Sequence, residues 1–214
     1  MIDIVPAILV KTRAELDLKV RVVEPFVDRI QIDVIDGRFA QNWTVQPEDL
    51  QGFETGLMKE AHLMVNDNEG YAKKFIELGF DMIIVHCESC KDIQKMIKTV
   101  KGRGRKMALA FNPQTPVSAV EAYLDDLDMV VAMTVNPGFT GQKFDASVMP
   151  KVRELRRMKK DLDIEVDGGM KVGTIKIAAE AGANIFVVGS SIYGFDDKKK
   201  AIESLKEDAL SAIM

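Results

Sequence analysis

Two cysteines in 214 residues are too few to staple a fold, and they sit side by side as Cys87-Glu-Ser-Cys90. A lone CxxC suits a redox pair or half a zinc site, but no second Cys/His cluster completes zinc and no thioredoxin-like unit surrounds it. Two reduced thiols near a helix start are the expectation. Charge of one sign is also lacking: 29 basic against 33 acidic residues leave a net charge of −4. That balance gives no footprint for nucleic acid or an anionic membrane, so neither is an expected partner. The densest basic stretches, Lys98 to Lys106 and Lys151 to Lys160, fall where helices should end or run exposed. No apolar run approaches the roughly 20 residues that span a bilayer. The opening Met1-Ile-Asp-Ile-Val-Pro6 carries neither a basic n-region nor a cleavable apolar segment. A cytoplasmic protein is expected.

What the chain does have is a 47% hydrophobic content, enough to bury one full core over residues 1–214. Apolar runs of strand length fall at Ile4–Leu9, Val27–Val34, Glu60–Val65, Asp81–His86, Lys106–Phe111, Met129–Met133, Asp163–Val166 and Ile185–Val188. Helical patterns separate them at Arg13–Val23, Asn68–Leu78, Asp92–Lys101, Pro116–Leu124, Ala146–Lys160 and Lys171–Ala181, with a last helix from Asp197 to about Ile213. Near-continuous Ile/Val/Met strands alternating with helices predict a parallel sheet covered by helices. Eight such units in one domain of this length predict a small (β/α)8 TIM barrel, with a doubly wound open sheet as the alternative. Gly/Pro clusters at Asn136-Pro137-Gly138 and Gly168-Gly169 follow strands, where a barrel places its working loops.

Side chains alternate along a strand, so Gln31, Asp33 and Ile35 share one face and Ile30, Ile32 and Val34 the other. His62 and Met64 share a face of the third strand, Met133 ends the sixth, and Glu165 and Asp167 share a face of the seventh. Charged groups inside a barrel are costly unless paired, hydrogen-bonded or bound to metal. Asp33, His62 and Asp167 are therefore candidates for a functional site, a structural ion network being the alternative. His86 reads as a structural histidine at a strand end.

Several strings, in order along nearly the whole chain, carry a resemblance. They are Pro6-Ala-Ile-Leu9, Asp33-Val-Ile-Asp-Gly-Arg-Phe39 with Asn42, His62-Leu-Met64, Asn112-Pro-Gln-Thr-Pro116, Met133-Thr-Val-Asn-Pro-Gly-Phe-Thr-Gly-Gln142, Glu165-Val-Asp-Gly-Gly169 and Gly189-Ser190. In these the chain resembles the ribulose-phosphate 3-epimerase family. The resemblance implies a (β/α)8 barrel that interconverts ribulose 5-phosphate and xylulose 5-phosphate. It implies Asp33 and Asp167 as acid and base, with Asp33, His62, Asp167 and the residue at position 31 holding one divalent metal ion on an enediolate. Met64 and Met133 match methionines lining the reacting centre, and Gly138, Gly141, Gly168, Gly169, Gly189 and Ser190 are expected around the sugar phosphate. Glycine-bared amides near the last strands are the usual barrel phosphate cradle. The Asn136–Gln142 loop is expected to close over the substrate. A small-molecule sugar phosphate is the expected partner and a homo-oligomer the expected assembly.

Three positions depart from the family pattern. Ala7 stands for a serine, Ile35 for a methionine, and Gln31 for a histidine. An amide oxygen ligates more weakly and as a harder donor than imidazole, so a weakly held Mn²⁺ or Mg²⁺ is expected over Zn²⁺, Co²⁺ or Fe²⁺. The alternative is that Gln31 hydrogen-bonds Asp33 in a metal-free site. Rival functions are an epimerase for another ketose phosphate, such as a hexulose 6-phosphate, and a non-catalytic phosphosugar-binding homologue. The lost hydroxyl at Ala7 and the loop Ala40–Trp43 bear on the first of these. Phosphate-barrel decarboxylases and hexulose-phosphate synthases use Asp-x-Lys-x-x-Asp on this strand, against Gln31-x-Asp33-x-x-Asp36 here, with no lysine.

Overall fold

The computed structural model describes residues 2–139 and 141–213; Thr140 of the Met133–Gln142 string lies outside the described residues. Its strands are β1 (Asp3–Ile8), β2 (Arg29–Ile35), β3 (Met58–Met64), β4 (Met82–His86), β5 (Lys106–Phe111), β6 (Met129–Met133), β7 (Asp163–Asp167) and β8 (Ile185–Val188). They pair in chain order, all parallel, and β8 closes onto β1. This is the (β/α)8 TIM barrel, and the open-sheet alternative falls. The helices are α1 (Arg13–Val23), α2 (Asn68–Glu77), α3 (Ile93–Lys101), α4 (Ser118–Glu121), α5 (Met149–Met158), α6 (Thr174–Glu180), α7 (Ser190–Tyr193) and α8 (Lys198–Leu210). Among the described residues no helix is long and apolar enough to cross a membrane.

Helix starts follow their caps. Thr12 and Glu15 form a capping box on α1, and the carboxylates of Asp67, Asp92 and Asp197 each accept a backbone N–H at the head of α2, α3 and α8. Asp92 and Asp197 therefore stand just outside the helices they were expected to begin. Three expected helices are broken or start late within their sequence patterns. The Pro116–Leu124 pattern gives only one turn, α4, because its hydrogen bonds tighten to three-residue spacing from Tyr123 to Asp126. The Ala146–Lys160 pattern opens as a 3₁₀ turn, Ala146–Val148, before α5, which takes Pro150 in its first turn. The Lys171–Ala181 pattern starts late because Gly173, at φ +90°, is not helical. The single turn α7 was not anticipated.

Two apolar shells result. Ile30, Ile32, Val34 and their counterparts face outward, under the helices. Val5, Ala7, Ile84, Ala108, Ala110, Val131, Met133 and Val187 fill the barrel. The polar faces of β2, β3 and β7 also point inward, with Gln31 paired to Glu60 and Asp33 to His62 in the strand register. On the barrel floor Arg29 donates to Asp3 Oδ2 at 2.7 Å and to fully buried Glu60 Oε1 at 2.8 Å. Glu165 lies on the same inward face, with no partner for either carboxyl oxygen. Burial, reinforced by Glu60, pushes its carboxyl well above the usual range, which favours its neutral form. A separate ion network, which the sequence reading did not single out, thus lies on the barrel floor beneath the candidate site.

Removing one partner from a buried pair leaves an uncompensated charge. Arg29→Met is therefore expected to cost about 3–5 kcal/mol, read as a lower urea midpoint. An unchanged midpoint would show that the floor is not held by this pair.

Candidate active site

The site is built by register. Parallel pairing sets Asp33 of β2 beside His62 of β3, and Asp167 of β7 beside Met133 of β6. Each of these side chains points inward at the C-terminal rim, where a barrel carries its chemistry. His62 Nδ1 lies 3.1 Å from Asp33 Oδ1 and 3.4 Å from Asp167 Oδ2. The ligand atoms of Asp33, His62 and Asp167 all fall within 4.8 Å of one another.

Gln31 completes the cluster. Fully buried, it donates from Nε2 to Asp33 Oδ1 and to Asp167 Oδ2, each at 3.0 Å, with His62 Nδ1 at 3.2 Å. Its terminal amide thus stands at the fourth vertex of a small polyhedron whose other corners are two carboxylate oxygens and a ring nitrogen. Separations of 3.0 to 3.4 Å are those of donors around a small divalent ion held at about 2.0–2.2 Å. The nitrogen faces the centre, and an N–H does not ligate a cation. Gln31 Oε1 is buried with no hydrogen-bond partner, and a half-turn of the amide brings it to the fourth vertex. The residues present therefore fit a divalent ion once the amide turns.

The electrostatics follow from this crowding. Burial pushes the Asp33 carboxyl up, against hydrogen bonds from His62 and Gln31 that favour its charged form. Burial works to lower His62, but bonding to Asp167 and Asp33 outweighs it and lifts the ring to about 10. His86 does end β4, fully buried as expected of a structural strand-end histidine. Its Nε2 lies 2.9 Å from His62 Nε2, and burial lowers it to about 4. Glu88 follows: burial opposes its charge, but His86, the Asn112 N–H and the Thr115 hydroxyl bring it down to about 2. Sequence reading had missed the inward role of His86. The two-residue alternation Met82, Ile84, His86 on β4 carried the signal, since Met82 and Ile84 face the barrel interior.

The cluster opens into a cavity of about 510 Å³, a size suited to a small molecule. Asp33, His62, Met64, Met133 and Asp167 line it, and so do Gly138, Gly141, Gly168, Gly169, Gly189 and Ser190. Every candidate residue but Gln31, which lies beneath, thus meets at one mouth. Ala7 lines it too, and a Cβ added at Gly189 would approach the Ala7 methyl to 3.9 Å. Two of the glycines are required by packing: a Cβ at Gly168 would come within 2.5 Å of Val135, and one at Gly169 within 2.5 Å of the Phe144 backbone. Over the mouth, Asn42 Nδ2 donates to Gly138 O at 2.7 Å, joining the β2 and β6 loops, and Phe139 is exposed. Cys87 and Cys90 are free and only partly buried. Burial pushes the Cys87 thiol up to about 12 and raises Cys90, so neither is a ready thiolate.

Fold and site together define a (β/α)8-barrel protein with two carboxylates, a histidine and a buried amide gathered at the C-terminal rim. The profile of the "Ribulose-phosphate 3 epimerase family" matches residues 3–193. The ribulose-phosphate 3-epimerase of Bacillus subtilis (strain 168) is 43% identical, over 96% of this chain and 99% of that protein. The chloroplastic ribulose-5-phosphate-3-epimerase of Arabidopsis thaliana is 39% identical, over 94% of this chain and 75% of that protein. The chain belongs to the ribulose-phosphate 3-epimerase family, whose members are isomerases. Among solved structures, 3-hexulose-6-phosphate synthase from Salmonella typhimurium superposes with a TM-score of 0.74 at 17% identity, covering 98% of this chain and 99% of that one. That likeness is one of fold alone.

Proposed function

We propose that this chain inverts C3 of a ketose phosphate, converting D-ribulose 5-phosphate to D-xylulose 5-phosphate, with Asp33 and Asp167 as acid and base. The observation that supports this most is that their carboxylates reach one small centre from β2 and β7, strands separated in the barrel by β1 and β8. One carboxylate takes the C3 proton, alpha to the C2 carbonyl, and leaves an enediolate. The other returns a proton to the opposite face, and the roles exchange in the reverse direction. One carboxyl of the pair must start protonated, and burial favours that form at Asp33. Met64 and Met133 offer the reacting carbons a soft, dry wall. The phosphate is assigned to the backbone around Gly141, Gly168, Gly169, Gly189 and Ser190, beneath the Asn136–Gln142 loop acting as a lid. Work in the cytoplasm and assembly as a homo-oligomer belong to the same reading.

Asp33, His62, Asp167 and the turned amide of Gln31 are the residues that would hold a divalent ion. When bound, such an ion supplies Lewis-acid stabilisation of the negative charge on the substrate oxygens. Turning Gln31 gives up two hydrogen bonds to carboxylates and moves its NH₂ to the buried position where the oxygen has no hydrogen-bond partner. Loading therefore competes with the protein's own bonding, which is why we assign a weakly held Mn²⁺ or Mg²⁺. The inward orientation of Gln31 Nε2 favours a second reading, in which the amide itself, without metal, offers N–H donors to the developing charge.

Asp33→Asn and Asp167→Asn are each expected to lower kcat by about 10²-fold or more. Wild-type turnover in either variant would rule out the pair of bases. Activity is expected to fall in EDTA and to return with Mn²⁺ or Mg²⁺, and Gln31→His should tighten Zn²⁺ binding measured by calorimetry. Full activity in EDTA from protein shown metal-free by elemental analysis would instead establish the amide-only reading.

A further inference from the structure

Four helices are capped by the residue that precedes them. Ahead of α1, α2, α3 and α8 stand Thr12, Asp67, Asp92 and Asp197, and each side chain accepts the backbone N–H three positions on. The corresponding residue of α6 is Gly173, at φ +90°, a backbone conformation suited to glycine, with no side chain to offer. The N–H three positions on from it belongs to Lys176, and it is not left open. Asp208, in the last turn of α8, accepts it through Oδ2 at 3.1 Å, and the same oxygen accepts the Gly173 N–H at 2.7 Å. The cap that α6 lacks in its own sequence therefore comes from the C-terminal helix.

The segment governed by this cap is the loop between β7 and α6, which passes along the cavity. Thr174, the first residue of α6, turns its hydroxyl back into that loop: Oγ1 accepts the Lys171 N–H at 2.9 Å and lies 3.0 Å from Gly169 O, to which it can donate. Gly168, Gly169, Lys171 and Thr174 all line the cavity. On the other side, Val135 and the Phe144 backbone leave no room for a Cβ on the two glycines. The loop is thus pinned between the β6 exit and the head of α6, and the head of α6 is fixed from α8. The same helix reaches the other half of the cradle. Lys198 Nζ, in the first turn of α8, donates to Tyr193 O at 3.2 Å, at the end of the turn α7 that begins with Ser190.

We propose that Asp208 is a positioning residue for the phosphate site: it supplies the cap that Gly173 cannot, and so holds the Gly168–Gly173 loop in the shape that receives the substrate's phosphate. Backbone N–H groups bind an anion well when they already converge, because ordering left to the moment of binding subtracts from affinity. Glycine lets the chain turn out of the loop into α6, but it also leaves that corner the freedom of an unsubstituted backbone. Asp208 removes the freedom by holding two amides on either side of the corner with one oxygen. This role rests on the assignment of the phosphate to Gly168 and Gly169 above, and not on which ketose carries it.

Inorganic phosphate is the probe, titrated into the ¹⁵N-labelled chain and followed by NMR at the Gly168 and Gly169 amides. Asp208→Ala is expected to weaken phosphate binding about fivefold, the usual worth of a helix cap, and to raise KM for D-ribulose 5-phosphate by the same factor at unchanged kcat. Asp208→Asn keeps an acceptor oxygen and should stay within about twofold of the wild type. Glu207→Ala, which removes the neighbouring carboxylate but no cap, should do the same. Equal phosphate affinity in the wild type and in folded Asp208→Ala would overturn the proposal, and so would a loss confined to kcat. Wild-type Gly168 and Gly169 amides that ignore phosphate would overturn the phosphate assignment and the proposal with it. Phosphate binding without turnover of the ketose phosphate would overturn the epimerase reading alone, and the titration then decides the role of Asp208. If Asp208→Ala did not fold, rapid solvent exchange of the Gly173 and Lys176 amides in the wild-type protein would still overturn the cap, and slow exchange would support it.

Discussion

Charge inside a closed eight-stranded barrel has no bulk water to turn to, and each charged group must find its partner in the layer it occupies. This molecule places Asp3, Arg29 and Glu60 around its floor and Gln31, Asp33, His62 and Asp167 at its rim. Desolvation is the largest single influence on Asp33, Glu60, His62, His86 and Glu165 alike. What distinguishes them is which neighbour answers it. Arg29 offsets it in part for Glu60, whose carboxyl still stands above its usual range, the two aspartates outweigh it for His62, and Glu165 has no hydrogen-bond partner to oppose it. The floor is thus an ion pair that holds the barrel, and the rim a set of groups whose charges are free to be rearranged by a ligand.

Much of this was legible in the chain, for reasons that can be stated. Strands β5, β6 and β8 match their expected limits to the residue, because each is an apolar run with nothing ambiguous beside it. The two-residue alternation placed Gln31, Asp33, His62, Glu165 and Asp167 on inward faces, and the closed register then brought four of them to one rim. Helix ends were less legible, because an aspartate before a helix reads the same whether it caps or begins it. The fragmentation of Pro116–Leu124 into one turn depends on local hydrogen-bond spacing, which an apolar pattern does not encode.

The pairing of His62 with His86 was hidden for a different reason. The two residues are 24 positions apart and meet only because β3 and β4 pair and the rings extend toward each other in plane. Strand alternation could have turned His86 inward, but not chosen its partner. Gln31 presents a similar limit. The sequence names an amide, yet whether nitrogen or oxygen faces Asp33 and Asp167 is set by hydrogen bonds in three dimensions. That choice matters, because it makes the same residue either a neutral bridge between two carboxylates or the fourth donor to an ion.

Two carboxylates acting on opposite faces of one carbon leave an isotopic signature that no other arrangement of these groups shares. Ribulose 5-phosphate should be incubated with the enzyme in D₂O and C3 followed by NMR at early conversion. The account predicts xylulose 5-phosphate carrying solvent deuterium at C3 while the remaining ribulose 5-phosphate is still largely unlabelled. Product that keeps its original C3 hydrogen, or substrate and product labelled at equal rates, would contradict it.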